Sequence, residues 1–359
     1  MSYQLYTSSG GVILKLAVAA ELAPAKTFHP LMQESGHEYH CLCHGGGVGD
    51  VLGNLCQEYY SMGTSRSRSG GKMEIAYLVL RDIATTWRHL GKINPDLVLT
   101  CGNAGDVRKA IAASYLRGKG VLHIEQDIYN PIEMIAFADI VTAPSTRYRD
   151  YLEDEYLLEN VEVIGGYPHA LYVSRLQTED PGIGNYTLLV LGGDLRREDI
   201  PGLISRVEAL GRRIIVVPFR FSPHYVRSFV GSEDTEVLEG FVDLPSLMAY
   251  ADLVIYGAGM GLTIEAAVLG VPAIKLRGFH ERHASVDLAG EVGIPVVDSA
   301  SLSEVADDVK PPESSGIVGD AERAVRKLIG LIDDFHEVAG PRGGLRSMKR
   351  IWDARKGFK

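Results

Sequence analysis

Residues 252–274 constrain the fold of this chain more than any other stretch. They read as an apolar run (Asp252–Tyr256), three glycines at alternate positions (Gly257, Gly259 and Gly261), an apolar run of helical length, and a second short apolar run. Two short apolar runs joined by a turn and a helix predict neighbouring strands of a parallel sheet. The backbone N–H groups at the start of such a helix suit a phosphate, although these glycines could also serve only a tight turn.

The same strand–turn–helix pattern recurs along most of the chain. A break rich in Gly, Pro and Asp between Tyr167 and Asn185 separates two series of such units, and a length of 359 residues favours two domains. We predict a first α/β domain over 1–168, a linker over 169–184, a second α/β domain over 185–338, and a tail over 339–359 that forms a helix. The predicted strands are Tyr3–Thr7, Glu38–Cys43, Asp96–Cys101, Gly120–Ile124, Asp139–Ala143, Thr187–Leu191, Arg213–Val217, Asp252–Tyr256, Ala273–Leu276 and Pro295–Val297. The predicted helices include Val12–Leu22, Lys72–Leu90, Asp106–Leu116, Ile200–Leu210, Leu244–Ala251, Leu262–Leu269 and Ala321–Phe335.

Charge and composition exclude several classes of protein. Asp and Glu number 46 against 36 Lys and Arg, a net charge of −10 that argues against a nucleic-acid-binding surface. No apolar run reaches the roughly 20 residues needed to span a bilayer, and residues 1–30 lack a secretion signal. We therefore expect a cytoplasmic protein. Its basic tail (Pro341–Lys359) either contacts anionic lipid or packs on the first domain.

The four cysteines are too few for a disulfide framework in a chain of this length. His40 and His44 flank Cys41 and Cys43. Cysteine and histidine are common zinc ligands, so this stretch is one candidate for a zinc site. Alternation along a strand would place both cysteines on one face and the histidines elsewhere, and no second cysteine pair follows. We expect buried structural cysteines and no metal site.

Two further turns follow predicted first strands, at Thr7–Gly11 and at Gly192–Arg197. In open α/β sheets, ligands bind beyond the carboxyl ends of the strands. Four cations near such ends could bind a diphosphate or could be ordinary surface charges: Arg196, Arg197, Lys275 and Arg277.

Three stretches resemble the GT-B superfamily, specifically the lipid II-forming N-acetylglucosaminyltransferase and the non-hydrolysing UDP-N-acetylglucosamine 2-epimerases. The segment from Phe241 to Pro272 resembles the nucleotide site of that superfamily. Pro95–Asn103 and Val121–Gln126 resemble its N-terminal half, and Gly192–Asp199 resembles the Thr-x-His-Arg-Arg-Glu-Asn loop of the epimerases. The likeness extends from Gly10 to about Ser299.

The resemblance implies an α/β fold of two Rossmann-like parallel-sheet domains that face each other across a cleft. It implies that the glycine-rich turn holds a diphosphate, Glu265 the ribose hydroxyls, and the backbone near Phe241 the base. The predicted nucleotide-sugar-binding residues are Gly10, Gly11, Gly193, Arg196, Arg197, Phe241, Gly257, Gly259, Gly261, Thr263, Glu265, Lys275 and Arg277.

The reaction is predicted from where the chain departs from the epimerases. Leu195 replaces the histidine of their loop and Asn103 replaces the aspartate of their Gly-Asp-Thr-Thr motif, whereas Glu125 matches. Epimerisation needs positioned acids and bases, but transfer needs only one base and a clamp for the leaving group. We therefore expect a metal-independent glycosyltransferase with a UDP-linked sugar as donor, an unidentified acceptor and no cofactor. The predicted catalytic residues are Glu125, then Asp106, His123 and Asp127.

Two alternatives stay open. One is a sugar-nucleotide epimerase or hydrolase, and the other is a catalytically silent protein that binds a sugar nucleotide. The chain could also form a homodimer.

Overall fold

The computed structural model describes residues 12–43, 47–63, 71–279, 282–313 and 316–357. The chain divides into two compact units. Unit 1 comprises Met1–His169 and Asp320–Lys359, and unit 2 comprises Ala170–Gly319. Among the described helices, none is both long and apolar enough to cross a membrane.

The first part of the chain alternates strands and helices. The elements are β1 (Lys15–Ala20), α1 (Leu22–Ser35), β2 (Glu38–Cys43), α2 (Val48–Leu52), β3 (Glu58–Ser61), α3 (Lys72–Ile93), β4 (Leu97–Cys101), α4 (Gly105–Leu116), β5 (Gly120–Ile124), β6 (Ile140–Ala143), α5 (Thr146–Tyr156), β7 (Val161–Val163) and α6 (Pro168–Ser174). The strands form a parallel sheet in the order β3-β2-β1-β4-β5-β6-β7.

Unit 2 repeats the same layout on a smaller scale. Its elements are β8 (Thr187–Val190), α7 (Ile200–Glu208), β9 (Ile214–Val217), α8 (Pro223–Arg227), β10 (Thr235–Val237), α9 (Leu244–Ala249), β11 (Leu253–Tyr256), α10 (Met260–Leu269), β12 (Ala273–Leu276), α11 (Ala284–Glu291), β13 (Val296–Val297) and α12 (Leu302–Val305). The order β10-β9-β8-β11-β12-β13 is again parallel. Strand order reverses between β8 and β11, and between β1 and β4 in unit 1. The crevices at such reversals are where open α/β sheets bind ligands.

Three helices complete the chain: α13 (Ile317–Asp333), α14 (Phe335–Val338) and α15 (Gly344–Gly357). The second domain was predicted to extend to 338, but residues 320–338 belong to unit 1. Leu328, Ile332 and Phe335 pack into the same core as Leu16 and Leu99 of the first sheet. The amphipathic pattern of α13 shows that one face is buried, but it does not show which sheet covers that face.

The predicted helix Val12–Leu22 is wrong, because this stretch forms strand β1. Residues 16–20 are all buried, since helices cover both faces of a central parallel strand. A strand buried on both faces reads as an unbroken apolar run, which periodicity cannot distinguish from a buried helix. The predicted strand Tyr3–Thr7 lies outside the described residues.

Helix α3 forms as predicted. Its apolar residues recur at helical spacing, but several of them are exposed. Met73, Leu80 and Trp87 are 88%, 67% and 41% exposed, whereas Asp82 and Thr86 are buried. The polar pair is buried because Asp82 binds the ammonium of Lys109 at 3.0 Å. The face of α3 that packs on the unit thus contains a buried ion pair.

Cys41 and Cys56 form a disulfide with a Cα–Cα distance of 5.9 Å, which links β2 to the segment before β3. Cys43 and Cys101 are free thiols. His40 is hydrogen-bonded to Glu38 at 2.7 Å, while His44 lies outside the described residues. Within the described ranges, no group of three or more His, Cys, Asp or Glu side chains is arranged to hold a metal ion.

Candidate functional site

Three turns at the carboxyl edge of the unit 2 sheet pack directly on one another. They follow β8, β11 and β12. The amide of Asp194 donates to the carbonyl of Gly257 at 3.2 Å, and the amide of Phe279 donates to the carbonyl of Asp194 at 3.1 Å. A side chain at Gly257 would collide with Leu195, and one at Gly192 with Ala258. Glycine is therefore required for close packing of the first two turns.

The turn after β11 leads into α10 through Gly259, and no side chain caps this helix start. The first backbone N–H groups of a helix have no partner within the helix. Gly261 lies in this first turn, and Gly193 lies in the adjoining turn after β8. The hydroxyl of Thr263 accepts a hydrogen bond from Tyr256 and donates to the carbonyl of Gly259. The buried Thr263 thus stabilises the turn from beneath.

Lys275 also lies beneath the turn. Its ammonium donates to the carbonyl of Ala258 at 2.6 Å and lies 3.3 Å from the carboxylate of Asp194, and the residue is fully buried. Lys275 was predicted to bind a diphosphate, but this environment ties its charge to the two turns instead. A buried ammonium is stable only when paired, and Asp194 supplies the pairing carboxylate.

The side chains of the two adjacent arginines after β8 point in different directions. Arg196, Arg277 and Phe279 contribute to the lining of a pocket of about 230 Å³. Arg197 instead stacks on the ring of Tyr225, with 3.8 Å between its guanidinium carbon and the ring centroid. The pocket therefore brings together Arg196 and Arg277 and leaves out Arg197.

Glu265 and Phe241 occupy contrasting positions. Glu265 on α10 is 2% exposed; burial, with a smaller contribution from the charge of Glu265, raises the pKa of Tyr172. Phe241 is 80% exposed in the turn before α9. Asp243 in the same turn caps α9 by accepting from the amide and hydroxyl of Ser246. Gly10 and Gly11 lie outside the described residues, before β1 rather than after a described strand.

In unit 1, the end of β5 and the turn after it bring together three of the predicted catalytic residues. His123 bridges the hydroxyl of Thr100 at 2.9 Å and the carboxylate of Glu125 at 3.2 Å. The other oxygen of Glu125 accepts the amides of Gln126 and Asp127, both at 2.9 Å. His123 and Glu125 are 0% and 1% exposed, whereas Asp127 is half-buried.

Asn103, in the turn after β4, joins the same group. Its amide donates to the carboxylate of Asp127 at 2.8 Å and to the carbonyl of Asn130 at 3.2 Å. Asp106 shares a different set of contacts: it lies 3.5 Å from the ammonium of Lys109, which also binds Asp82. These three side chains are almost completely buried. Three predicted catalytic residues therefore lie together with Asn103: His123, Glu125 and Asp127. The fourth, Asp106, belongs to a separate buried ion-pair network.

Sequence reasoning missed the cations beside the turn after β5. Arg108 forms two hydrogen bonds with Glu133, and Arg355 of α15 donates to the carbonyl of Pro131 at 2.6 Å. Burial alone would raise the pKa of Glu133, but the hydrogen bonds and charge of Arg108 outweigh it and hold this pKa below its ordinary value. Burial lowers the pKa of Arg355. The basic composition of the tail was the only available signal, and it does not indicate which residue turns inward.

No family model matches the chain. A curated relative, the UDP-N-acetylglucosamine–N-acetylmuramyl-(pentapeptide) pyrophosphoryl-undecaprenol N-acetylglucosamine transferase of Salinibacter ruber, is 24% identical over 233 residues. That match spans 60% of this chain and 60% of the relative, less than two thirds of either.

Solved structures resemble the chain over most of its length. The UDP-GlcNAc 2-epimerase of Neisseria meningitidis, bound to UDP-GlcNAc, has a TM-score of 0.68 at 16% identity and covers 88% of this chain and 99% of its own. The corresponding enzyme of Methanocaldococcus jannaschii, in complex with UDP-GlcNAc and UDP, has a TM-score of 0.66 at 16% identity and the same coverage. The predicted α/β fold with two parallel sheets is confirmed, and these two epimerases share it.

Proposed function

We propose that this chain is a glycosyltransferase that uses a UDP-linked sugar as donor, without a metal ion, and holds the diphosphate at the glycine-rich turn of unit 2. The observation that carries the proposal is this turn itself. Gly257 and Gly259 lie at the strand-order reversal, the helix start is uncapped by side chains, and Lys275 fixes the turn from below. Two structures with the same fold were determined with UDP-GlcNAc bound.

The pocket beside the turn supplies positive charge. Arg196 and Arg277 line it, and their guanidinium groups can form charge-assisted hydrogen bonds to phosphate oxygens. As the bond between the sugar and the diphosphate breaks, its electron pair stays on the departing UDP. Cations and backbone N–H groups stabilise that charge, which is the role a metal ion has in other enzymes.

Unit 1 supplies the base in this proposal. The acceptor hydroxyl forms the new bond to the anomeric carbon and gives its proton to a carboxylate in the turn after β5. Asp127 suits this role because it is half-buried and oriented by Asn103. Glu125, ranked first from the sequence, is bound to His123 and to two backbone amides. It therefore suits a supporting role, in which it fixes the backbone that carries Asp127.

A second candidate, 2-epimerisation of the sugar nucleotide, is favoured by the likeness to epimerases over 99% of their chains. One observation weighs against it. Leu195 stands where the epimerase loop has histidine, and it is buried against Gly257 with no ionisable group to contribute. Transfer is therefore the better-supported reaction.

Calorimetric titration with UDP, UDP-GlcNAc, GDP, ADP and NAD tests the donor site. We expect UDP and UDP-GlcNAc to bind and the others to bind far more weakly. Arg196→Ala should weaken UDP binding by about tenfold, the equivalent of one charge-assisted hydrogen bond. Arg197→Ala is the matched control, because Arg197 stacks on Tyr225 and should leave the affinity unchanged. Binding of none of the five would refute the proposal.

Product analysis separates the two reactions. Under transfer, UDP-GlcNAc incubated with the protein alone keeps its stereochemistry, and UDP is released only when an acceptor is added. Under epimerisation, proton NMR shows the 2-epimer of the sugar nucleotide without any acceptor.

A further inference from the structure

Helix α3 has an exposed face that is apolar. The opposite face packs on unit 1 and includes Leu90 and Ile93, which are 0% and 3% exposed. The exposed face carries a row of residues at intervals of four, three, four and three, which we call the α3 seam: Met73, Tyr77, Leu80, Ala84 and Trp87. A contiguous apolar surface of this kind marks an interaction site.

The spacing of the α3 seam indicates a helical partner. Alternating intervals of four and three residues are those of the a and d positions of a heptad, through which one α-helix packs on another. Ala84, in the middle of the seam, leaves room for a large side chain of the other helix. A lipid surface fits less well, because the exposed Glu74 borders the seam and the net charge of −10 opposes binding to anionic lipid.

A second α3 helix in antiparallel orientation matches the side chains of the seam. In such a pair, each a residue faces a d residue of the other helix. Leu80 then faces Ala84 of the second copy, and Tyr77 faces Trp87 of the second copy. Two-fold symmetry repeats each contact. A large side chain thus lies opposite a small one, and two aromatic rings meet.

The charges beside the seam are complementary in the same arrangement. Glu74, Arg81 and Arg88 are exposed and follow one edge of the seam at seven-residue intervals. In an antiparallel pair this edge faces the same edge of the other helix, so Glu74 lies opposite Arg88 of the second copy. Arg81 faces its own counterpart, but its charge is compensated by Asp82 at 2.9 Å. In a parallel pair, the same edge would face the opposite edge of the seam, which carries no charge: Ala76, Ile83 and Leu90.

We propose that the α3 seam is the interface of a homodimer, in which α3 of one chain packs antiparallel on α3 of a second copy. The inference goes beyond the proposed function and does not depend on it, because no residue of the seam belongs to the donor site. One side chain of the seam is already ordered in the single chain. The guanidinium carbon of Arg117 lies 3.8 Å from the ring centroid of Trp87, which lowers the entropic cost of association.

Sedimentation velocity over a range of micromolar concentrations tests the interface. We expect the unmodified protein to form a species of twice the mass of the chain. Leu80→Glu should raise the dissociation constant about a hundredfold or more, because it buries two unpaired carboxylates in the seam. Leu80 is 67% exposed in the single chain, so this variant should stay folded by circular dichroism. Leu345→Glu on α15 is the matched control: Leu345 is 71% exposed, and its replacement should leave the dimer unchanged.

A charge exchange tests the antiparallel orientation. Glu74→Arg should raise the dissociation constant about tenfold, because it places cations opposite each other at two symmetric positions. Adding Arg88→Glu to the same chain should restore the wild-type constant. The two residues lie about four turns apart on one helix, so the recovery requires a contact between two chains.

Three results would overturn the inference. They are a monomeric unmodified protein at every concentration, an unchanged dimer in Leu80→Glu, and no recovery when Arg88→Glu is added to Glu74→Arg. Flotation with vesicles of phosphatidylcholine and phosphatidylglycerol tests the competing occupant. Binding of a monomeric protein to these vesicles, lost in Leu80→Glu, would assign the seam to a lipid surface and refute the homodimer.

Discussion

Glu125 and Asp127 are two residues apart in sequence, yet they occupy different environments. The first is enclosed by His123 and backbone amides, and the second is half-buried with Asn103 on one oxygen. Glu125 is 1% exposed and both of its oxygens already bind protein groups, so an acceptor hydroxyl has no open approach to it. The local contacts therefore favour Asp127 as the base and Glu125 as the residue that positions it.

Asp127→Asn should lower the turnover of transfer by about a hundredfold or more, the typical contribution of a general base, without weakening UDP binding. Glu125→Gln should lower turnover less, because the amide oxygen can still accept the backbone N–H groups. Steady-state kinetics with a donor and an acceptor provide the comparison. A larger loss in Glu125→Gln would show that Glu125 is the base, as its sequence match to the epimerases implies.

At this scale, sequence indicates residue type but not burial. Arg277 and Lys275 are two residues apart at the end of β12, so strand alternation alone would direct both side chains to the same face. One is exposed in a pocket and the other is fully buried beneath a turn. Asp106 was predicted from its nearness to a strand end, but it pairs with Lys109, whose other partner, Asp82, comes from helix α3. Pairings between distant residues leave no local trace in a single sequence.

At the scale of elements, the last helix anchors the turn after β5. Ile351 of α15 is fully buried, and Ser347 donates to the carbonyl of Leu157 at 2.7 Å. Arg342, just before α15, forms two hydrogen bonds with Asp139 at 2.8 and 3.0 Å. Arg355 and Arg108 hold Pro131 and Glu133 in the intervening segment. Helices α4 and α15, which are far apart in the chain, therefore stabilise the segment that follows Asp127.

Glu133→Gln should destabilise unit 1 by about 3 kcal/mol at pH 7, because it leaves the guanidinium of Arg108 without its carboxylate. The pKa of Glu133 is lowered in the folded state, so its stabilising contribution is present above its unfolded pKa and is lost as the pH falls below about 4.5. Urea unfolding at pH 7 and pH 3.5 measures this. The difference between wild type and variant should be smaller at pH 3.5 than at pH 7, and a constant difference would contradict the ion-pair explanation.

Element boundaries were predictable where strands begin and end at turn residues. Strands β2 and β5 coincide with the predicted ranges. Strands β3 and β7 were not predicted, because they are short and are the outer strands of the sheet. Such strands bury few side chains, so they lack the continuous apolar run that identifies the central ones.

At the scale of the molecule, unit 1 is discontinuous in sequence. Its sheet is formed before residue 169, but part of its core comes from α13 and α14. Phe335 packs so closely on Gly120 that a side chain at this glycine would collide with it. Neither contact can be predicted from the local sequence pattern, because each one joins segments that lie far apart in the chain.

A chain that ends at Gly319 should lose the cooperative unfolding of unit 1 while unit 2 stays folded and still binds UDP. The missing α13 leaves the apolar core side chains of the first sheet exposed. A chain that ends at Ala339 retains α13 and α14 and should keep both transitions, with unit 1 less stable. Calorimetric melting with and without UDP distinguishes the three proteins. Cooperative unfolding of unit 1 in the shorter chain would contradict the expectation.

The same discontinuity sets an order of events on the ribosome. All strands of the first sheet leave the exit tunnel before α13 is translated, and the whole of unit 2 is synthesised in between. Unit 2 can therefore complete its core first, although it begins later in the chain. Until the final helices arrive, the nascent first sheet presents an uncovered apolar face, which is the kind of surface that aggregates or recruits chaperones.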